Sequence, residues 1–474
     1  MERYDLWIGG EWRKAKRYEP LYAPYGGRLL AEVAMADAEE AEVAIVSAHE
    51  AYQSFKHMPA YKRADILYRA AELLAERSEA CVRLLVQEAA KPIRAARGEI
   101  ARTIETYRFA AEAAKAVAGE QVPMDAAAGG AGRLGFTVKT PIGVVTAITP
   151  FNFPFNLVAH KVGPAIAAGN TIVLKPAEQT PLSALFLAEL FREAGLPDGV
   201  LNIVPGYGAE LSEILTTDPR VKGVTFTGSP EVGRIIHRQA GLRKVTLELG
   251  SNSALIVDEG ADVASIVDRC VEGAFVYNGQ VCISLQRIYA HRSLYGEFVE
   301  RFVERAGKLQ SGAPEEESTD ITPLISRKAW ERVTGWIDEA VREGAELRCG
   351  GAEPERNIAL PTVLTGANPS SKVVAEEVFG PVVTIAPYDT LEEAVAAVND
   401  SRYGLHAGIF TPRIDRAFCA AQHIDAGGVI VNDIPTFRTD QIPYGGRKDS
   451  GIGREGVRYA VEEQMEIKFI SFKL

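Results

Sequence analysis

The sequence predicts an α/β protein of more than one domain, and three observations carry the prediction. Between residues 142 and 250, short apolar runs alternate with helical stretches. Strands that are apolar on both faces belong in a parallel sheet covered by helices on each side. Residues 255–440 repeat the alternation less regularly, which marks a second α/β unit. Residues 37–118 are rich in Ala, Glu and Arg, with apolar residues at helical spacing as in Ile66-Leu67, Ala70 and Leu73-Leu74. At 474 residues the chain has room for roughly two to four domains and a large core.

Taken in order, residues 4–13 read as a hairpin, with Leu6-Trp7-Ile8, a Gly9-Gly10 turn and Trp12. Three long helices are expected over 37–118, with Pro92 near the break between the second and third. The small-residue run 124–132 lies between the strand-like Gln121-Val122 and residues 134–138, and predicts a projecting hairpin. Strands follow at 143–149, 171–174, 201–204, 223–226 and 244–249, with helices at 181–194 and 209–215. Further helices are expected at 262–276, 293–309, 326–344 and 391–399. The alternating tail 466–474 predicts a last strand that pairs with the 121–138 hairpin or with another subunit.

Charge and composition exclude several functions. Fifty-two Lys+Arg against 63 Asp+Glu leave a net charge of −11. Such a chain repels phosphates and anionic lipid, so neither nucleic acid nor a membrane is expected as partner. Hydrophobic residues at 47% and charged residues at 24% fit a globular protein. Five scattered cysteines point to a reducing cytoplasm rather than a disulfide framework. No C-x-x-C or H-x-x-x-H pair occurs, so no metal site is expected. The polar start does not read as a signal peptide, and no run has the ~18–20 uncharged apolar residues of a membrane helix.

Five segments carry possible chemistry. Cys282, in Asn278-Gly279-Gln280-Val281-Cys282, follows a helical run and a glycine that permits a tight turn. A thiolate is a strong nucleophile, although a lone cysteine is equally at home as a small core residue. Glu248 stands inside the apolar run Thr246-Leu247-Glu248-Leu249-Gly250. If buried, its pKa rises towards that of a general base; if it faces solvent, it is an ordinary strand-end residue. Asn152, in Thr149-Pro150-Phe151-Asn152-Phe153-Pro154, lies just past a strand, where its amide can meet an oxyanion or serve a turn. Phe226-Thr227-Gly228-Ser229-Pro230-Glu231-Val232-Gly233 runs from strand to helix and offers a helix start to a phosphate, with Ser229 as cap. Lys175 and Glu178, at another strand end, suit a ribose, and the carboxylate there repels a 2′-phosphate.

The order and spacing of these segments resemble the aldehyde dehydrogenase superfamily. The matching stretches are T-P-F-N-F-P (149–154), K-P-A-E-Q-T-P (175–181), F-T-G-S-P-E-V-G (226–233), L-E-L-G (247–250), G-Q-V-C (279–282), E-E-V-F-G-P (376–381) and P-Y-G-G-R-K-D-S-G (443–451). The resemblance implies a Rossmann-like cofactor domain (1–120 and 142–250), an α/β catalytic domain (251–441) and a β-hairpin oligomerisation arm (121–141 and 442–474). It implies that Cys282 attacks an aldehyde, that Asn152 and the Cys282 N–H hold the oxyanion, and that Glu248 activates water against the thioester. NAD, favoured over NADP, would lie along Thr149, Pro150, Phe151, Lys175, Glu178, Gly208, Phe226, Gly228, Ser229, Gly233, Leu249, Glu377 and Phe379. A homodimer or homotetramer formed through the arm is implied as well. Ser251-Asn252 and Arg447 depart from the family's usual residues.

The run Thr436-Phe437-Arg438-Thr439-Asp440-Gln441 and residues 252–258 resemble the branch of lactaldehyde and non-phosphorylating glyceraldehyde-3-phosphate dehydrogenases. That implies a small 2-hydroxyaldehyde, with Arg438, Arg287, Arg102 and His160 as candidate partners for an anionic group. Arg287 sits in a strand-like run where it can instead brace the cysteine loop. A coenzyme-A-acylating enzyme, a succinate-semialdehyde dehydrogenase, a cofactor-free thiol hydrolase and a silent NAD-binding protein are the competing readings.

Overall fold

The computed structural model describes residues 2–474. Its first sheet runs in the order Gly451–Ile452, Lys244–Glu248, Val221–Thr227, Val144–Ile148, Thr171–Lys175, Leu201–Ile203, Leu6–Ile8 and Glu11–Arg13. The strands from Lys244–Glu248 to Leu201–Ile203 are all parallel, as their apolar runs predict. The N-terminal hairpin extends one edge antiparallel, pairing Trp7 with Trp12. Val144–Ile148 lies between Thr171–Lys175 and Val221–Thr227, so the chain leaves it first to one side and later to the other. The carboxyl edge at such a reversal is where α/β sheets open a ligand crevice.

A second sheet carries Glu346–Cys349, Thr362–Thr365, Val382–Tyr388, Arg287–His291, Ala254–Val257, His406–Phe410 and Gly428–Val431, parallel except for the first. The third sheet pairs Met465–Lys473 antiparallel with Arg133–Pro141, which also pairs with Gln121–Val122. The tail and the hairpin therefore join as the alternation predicts.

The region 37–118 departs from expectation. It forms four helices, Ala38–Phe55, Ala60–Glu76, Ser78–Ala89 and Ile93–Ala116. The unforeseen break falls at Arg77, where the backbone turns to φ −108°, ψ 15° with no Pro or Gly to announce it. Pro92 precedes the fourth helix rather than the third. Asp37 starts the first helix with a capping box: its side chain accepts from Glu40 N, and Glu40 reaches back to Asp37 N. A small sheet of Arg3–Tyr4, Tyr18–Tyr22 and Leu29–Ala34 was not foreseen either.

The segment 442–474, read as one arm, divides. Gly451–Ile452 closes the edge of the first sheet against Leu247 and Glu248. Val457 and Val461 of the helix Val457–Glu463 pack into the core beneath that sheet. Only Met465–Lys473 belongs to the projecting sheet. Among the described residues, no helix is long and apolar enough to cross a membrane.

Candidate active site

Four strands of the first sheet end at one edge, and each delivers a residue the sequence singled out. Ile148 leads to Thr149 and Asn152, Lys175 ends its own strand, Thr227 leads to Gly228 and Ser229, and Glu248 ends the fourth. Thr149 N donates to Lys175 O at 3.1 Å and Gly228 N to Glu248 O at 3.0 Å, which ties the four ends together.

The groups suited to a dinucleotide lie along this edge. Lys175 Nζ meets Glu178 Oε1 at 2.6 Å, and Gly208 N donates to the same oxygen at 2.9 Å. Ser229 caps the helix Pro230–Ala240 through Val232 N. Gly233 packs against Leu249, and a Cβ on it would come within 2.6 Å of that side chain. Phe226 closes beneath Gly228, whose missing Cβ would lie 2.4 Å from the ring. From the loop before Val382–Tyr388 of the second sheet, the half-buried Glu377 accepts from Ser251 N at 3.0 Å, and desolvation raises its pKa to about 7. Its carboxylate passes so close to Gly250 that a Cβ there would lie 2.4 Å from Oε2, so glycine is required. Phe379 has a left-handed backbone (φ 48°) and meets Phe151 edge-on at 5.8 Å, next to Pro150. Thr180 Oγ1 and Thr227 Oγ1 are buried without partners. An ammonium, carboxylates, free hydroxyls and a helix start together fit the ribose and pyrophosphate of a nicotinamide dinucleotide.

Cys282 follows the helix Val263–Phe275 through a turn in which Tyr277, Asn278 and Gly279 all have positive φ. Asn278 is held there by Thr322, accepting its N–H at 2.9 Å and donating to its Oγ1 at 3.0 Å. A Cβ on Gly279 would lie 2.3 Å from Gly380 O, so the tight turn foreseen at this glycine is real. Burial pushes the Cys282 thiol up to about 11, against the pull of Tyr444 and Arg438. Asn152 Nδ2 donates to Gln280 O at 2.9 Å, which orients the amide and leaves its second hydrogen free. Glu248 is buried, and neither carboxylate oxygen has a hydrogen-bond partner. Burial and the nearby Glu455 carboxylate raise its pKa well above the usual range. Glu455 stays low, at about 2, because Lys161, His160 and Arg438 outweigh its own burial.

Cys282 lines a cavity of about 330 Å³ together with Phe153, Thr436, Phe437, Arg438, Tyr444 and Arg102. Arg102 forks onto Asp440 at 2.7 and 3.2 Å. Arg438 reaches His160 Nε2 at 3.1 Å and Glu455 Oε2 at 3.3 Å, while its buried Nε has no partner. Two of the four proposed anion partners are corrected. Arg287 lies outside the cavity and donates to the Asn252, Ala397 and Val398 carbonyls, so it braces the second sheet. His160 is buried and does not line the cavity; it bonds Asp440 Oδ1 at 2.8 Å and Arg438 at 3.1 Å, and so reaches the cavity only through other residues.

Sequence reasoning missed the residues that support the site. Lys91 and Glu99 form a fully buried pair, and Lys91 also donates to Asn152 O at 2.6 Å. Glu99 accepts from Phe155 N at 2.9 Å and Asn156 N at 3.1 Å. Lys161 bonds Glu455 at 2.8 Å. Tyr444, whose hydroxyl lies 2.8 Å from Cys282 Sγ, sits within a quoted motif yet was passed over.

The model of the aldehyde dehydrogenase family matches residues 12–470. The 3-sulfolactaldehyde dehydrogenase of Priestia aryabhattai is 47% identical over 474 residues, covering 100% of this chain and 99% of that protein. Aldehyde dehydrogenase 21 of Physcomitrella patens, solved with the reaction product succinate, superposes with a TM-score of 0.96 at 40% identity, covering 100% of this chain and 98% of that one. Glyceraldehyde-3-phosphate dehydrogenase of Methanocaldococcus jannaschii, complexed with NADP, does so with a TM-score of 0.93 at 38% identity, covering 97% and 100%. With the family model matched over residues 12–470 and a relative 47% identical over the whole chain, the chain belongs to the aldehyde dehydrogenase family and is an NAD(P)-dependent oxidoreductase.

Proposed function

We propose that this enzyme oxidises a small anionic 2-hydroxyaldehyde, of the 3-sulfolactaldehyde or glyceraldehyde-3-phosphate kind, to its carboxylate. The observation that carries the reading is one cavity of about 330 Å³ in which Cys282 lies with three arginines: Arg269, already held by Asp433 and Glu272, and Arg102 and Arg438. A cavity of that size suits a small substrate, and a guanidinium holds a sulfonate or phosphate through paired charge-assisted hydrogen bonds.

Cys282 Sγ bonds to the aldehyde carbon and forms a thiohemiacetal. The Asn152 amide and the Cys282 N–H receive the charge on its oxygen. NAD(P), when bound, would supply the hydride acceptor, and Cys282 would be left holding a thioester. Glu248, kept basic by burial and by Glu455, takes a proton from water as that water attacks the thioester carbon. The acid departs and the thiol is restored. Lys175, Glu178, Ser229 and Glu377 would hold the cofactor, and Glu178 would favour NAD by repelling a 2′-phosphate.

The arm supports a homo-oligomer: its terminal strand Met465–Lys473 exposes Ile467 and Phe469, which alternate onto one face, and Phe472 on the other, apolar surface that a second subunit can cover. The free cysteines fit a reducing cytoplasm.

The test is steady-state kinetics with 3-sulfolactaldehyde, glyceraldehyde 3-phosphate, succinate semialdehyde and neutral lactaldehyde, with each cofactor. Arg102→Ala should raise KM for the preferred anionic aldehyde by about 10–100-fold, the worth of a hydrogen bond to a charged group, and for lactaldehyde far less. A wild-type preference for neutral lactaldehyde, or an equal loss on both, removes the reading.

A further inference from the structure

Among the described residues, the Tyr444 hydroxyl is the one side-chain hydrogen-bond partner of Cys282 Sγ, at 2.8 Å. Tyr444 sits on the loop between Gly428–Val431 and Arg447–Lys448 and is 1% exposed. Its backbone exchanges hydrogen bonds with Glu455 at 3.0 and 2.7 Å. The Arg438 guanidinium lies 3.6 Å from its ring centroid, and His406 packs edge-on at 5.1 Å. The phenol cannot turn away from the sulfur without breaking buried contacts. A cation over the ring face draws density from the ring and strengthens its hydroxyl as a donor. That donor stabilises a thiolate more than a thiol, because a hydrogen bond to a charge is the stronger one.

No base is bonded to the sulfur. The Glu248 carboxylate has no hydrogen-bond partner, and His406 gives Nδ1 to Pro435 O at 3.0 Å and faces the Tyr444 ring. Burial, with smaller contributions from Glu377 and Glu248, opposes ionisation of the thiol, while the Tyr444 hydrogen bond and Arg438 favour it.

We propose that Tyr444 is a catalytic residue whose hydroxyl donates to the Cys282 thiolate, holding the nucleophile ionised and in place for attack. The thiol proton leaves to water, and Tyr444 keeps its own proton while its O–H turns from accepting to donating. When Sγ bonds to the aldehyde carbon, the carbonyl π electrons move to the oxygen and the Tyr444 bond weakens as the sulfur loses charge. The proposal rests on Cys282 being the nucleophile.

The test is the pH dependence of iodoacetamide alkylation of the substrate-free enzyme, followed on the Cys282 peptide by mass spectrometry. Tyr444→Phe removes only the hydroxyl. It should raise the midpoint by about 1–2 units and slow alkylation at neutral pH about 10–100-fold, with the rates converging at high pH. An unchanged midpoint, with the rate lowered equally at every pH, means packing alone and overturns the proposal. If the variant loses its fold, a fluorotyrosine at 444, a more acidic phenol, should lower the midpoint, and no shift overturns the proposal. Alkylation involves neither aldehyde nor cofactor. Undiminished aldehyde turnover by Cys282→Ser would instead defeat the nucleophile assignment itself.

Discussion

Two regions meet at Asn152 and treat buried polarity in opposite ways. On one side every charge is paired: Lys91 bonds Glu99 and the Asn152 carbonyl, and Glu99 also receives two N–H groups at the start of the helix Asn156–Ala168. On the other side Glu248 Oε1 and Oε2, Asn152 Oδ1, Gln280 Nε2 and Arg438 Nε are all buried without partners. Each unmade bond costs about 1–3 kcal/mol. A fold keeps such costs where the groups serve a reaction, and pairs its charges where they only hold shape. On the proposed reading, the paired side is scaffold and the unpaired side holds the reacting groups.

The sharpest break in that contrast is at Cys282, the proposed nucleophile. Cys282→Ala should cut kcat by roughly 10⁴–10⁶-fold, as nucleophile removal does elsewhere, with the melting temperature nearly unchanged; steady-state rates and calorimetry check both. Next, Glu248→Gln should slow thioester hydrolysis by about 10²–10⁴-fold. In the wild type the single-turnover hydrolysis rate should rise with pH through the raised Glu248 pKa, because only the carboxylate accepts a proton. Glu248→Gln should flatten that limb.

On the paired side the signature reverses. Lys91→Met leaves Glu99 buried and uncompensated and should cost about 3–5 kcal/mol of stability by denaturant titration. Activity should fall only as far as Asn152 moves. The smallest effect is at the dinucleotide edge. Ser229→Ala removes one helix cap and should cost about 1 kcal/mol, with a modest rise in the cofactor KM.

The contrast also explains what the sequence could show. The parallel strands were legible because most are short apolar runs, with Val144–Ile148, Thr171–Lys175 and Leu201–Ile203 buried throughout. The residues at their ends were legible because strand, turn and glycine signals place them. The break at Arg77 was not, because Arg77-Ser78 carries no turn residue. The paired framework was not legible either. Lys161 and Glu455 are 294 residues apart, and His160 and Asp440 are 280 apart. No local pattern links them, and Lys161 and Glu99 each look like an ordinary solvated helix charge until the fold buries them. Arg287 misled for the same reason: a strand arginine near the cysteine loop looks like a ligand until its donors are counted onto carbonyls.

The most direct measurement is to mix Glu248→Gln with the preferred aldehyde and NAD, quench, digest and weigh the peptide holding Cys282. The peptide should gain the mass of the acyl group in a thioester that hydroxylamine removes, with one reduced cofactor per site. No adduct, or an adduct on another residue, contradicts the assignment of Cys282 as the atom through which the aldehyde is oxidised.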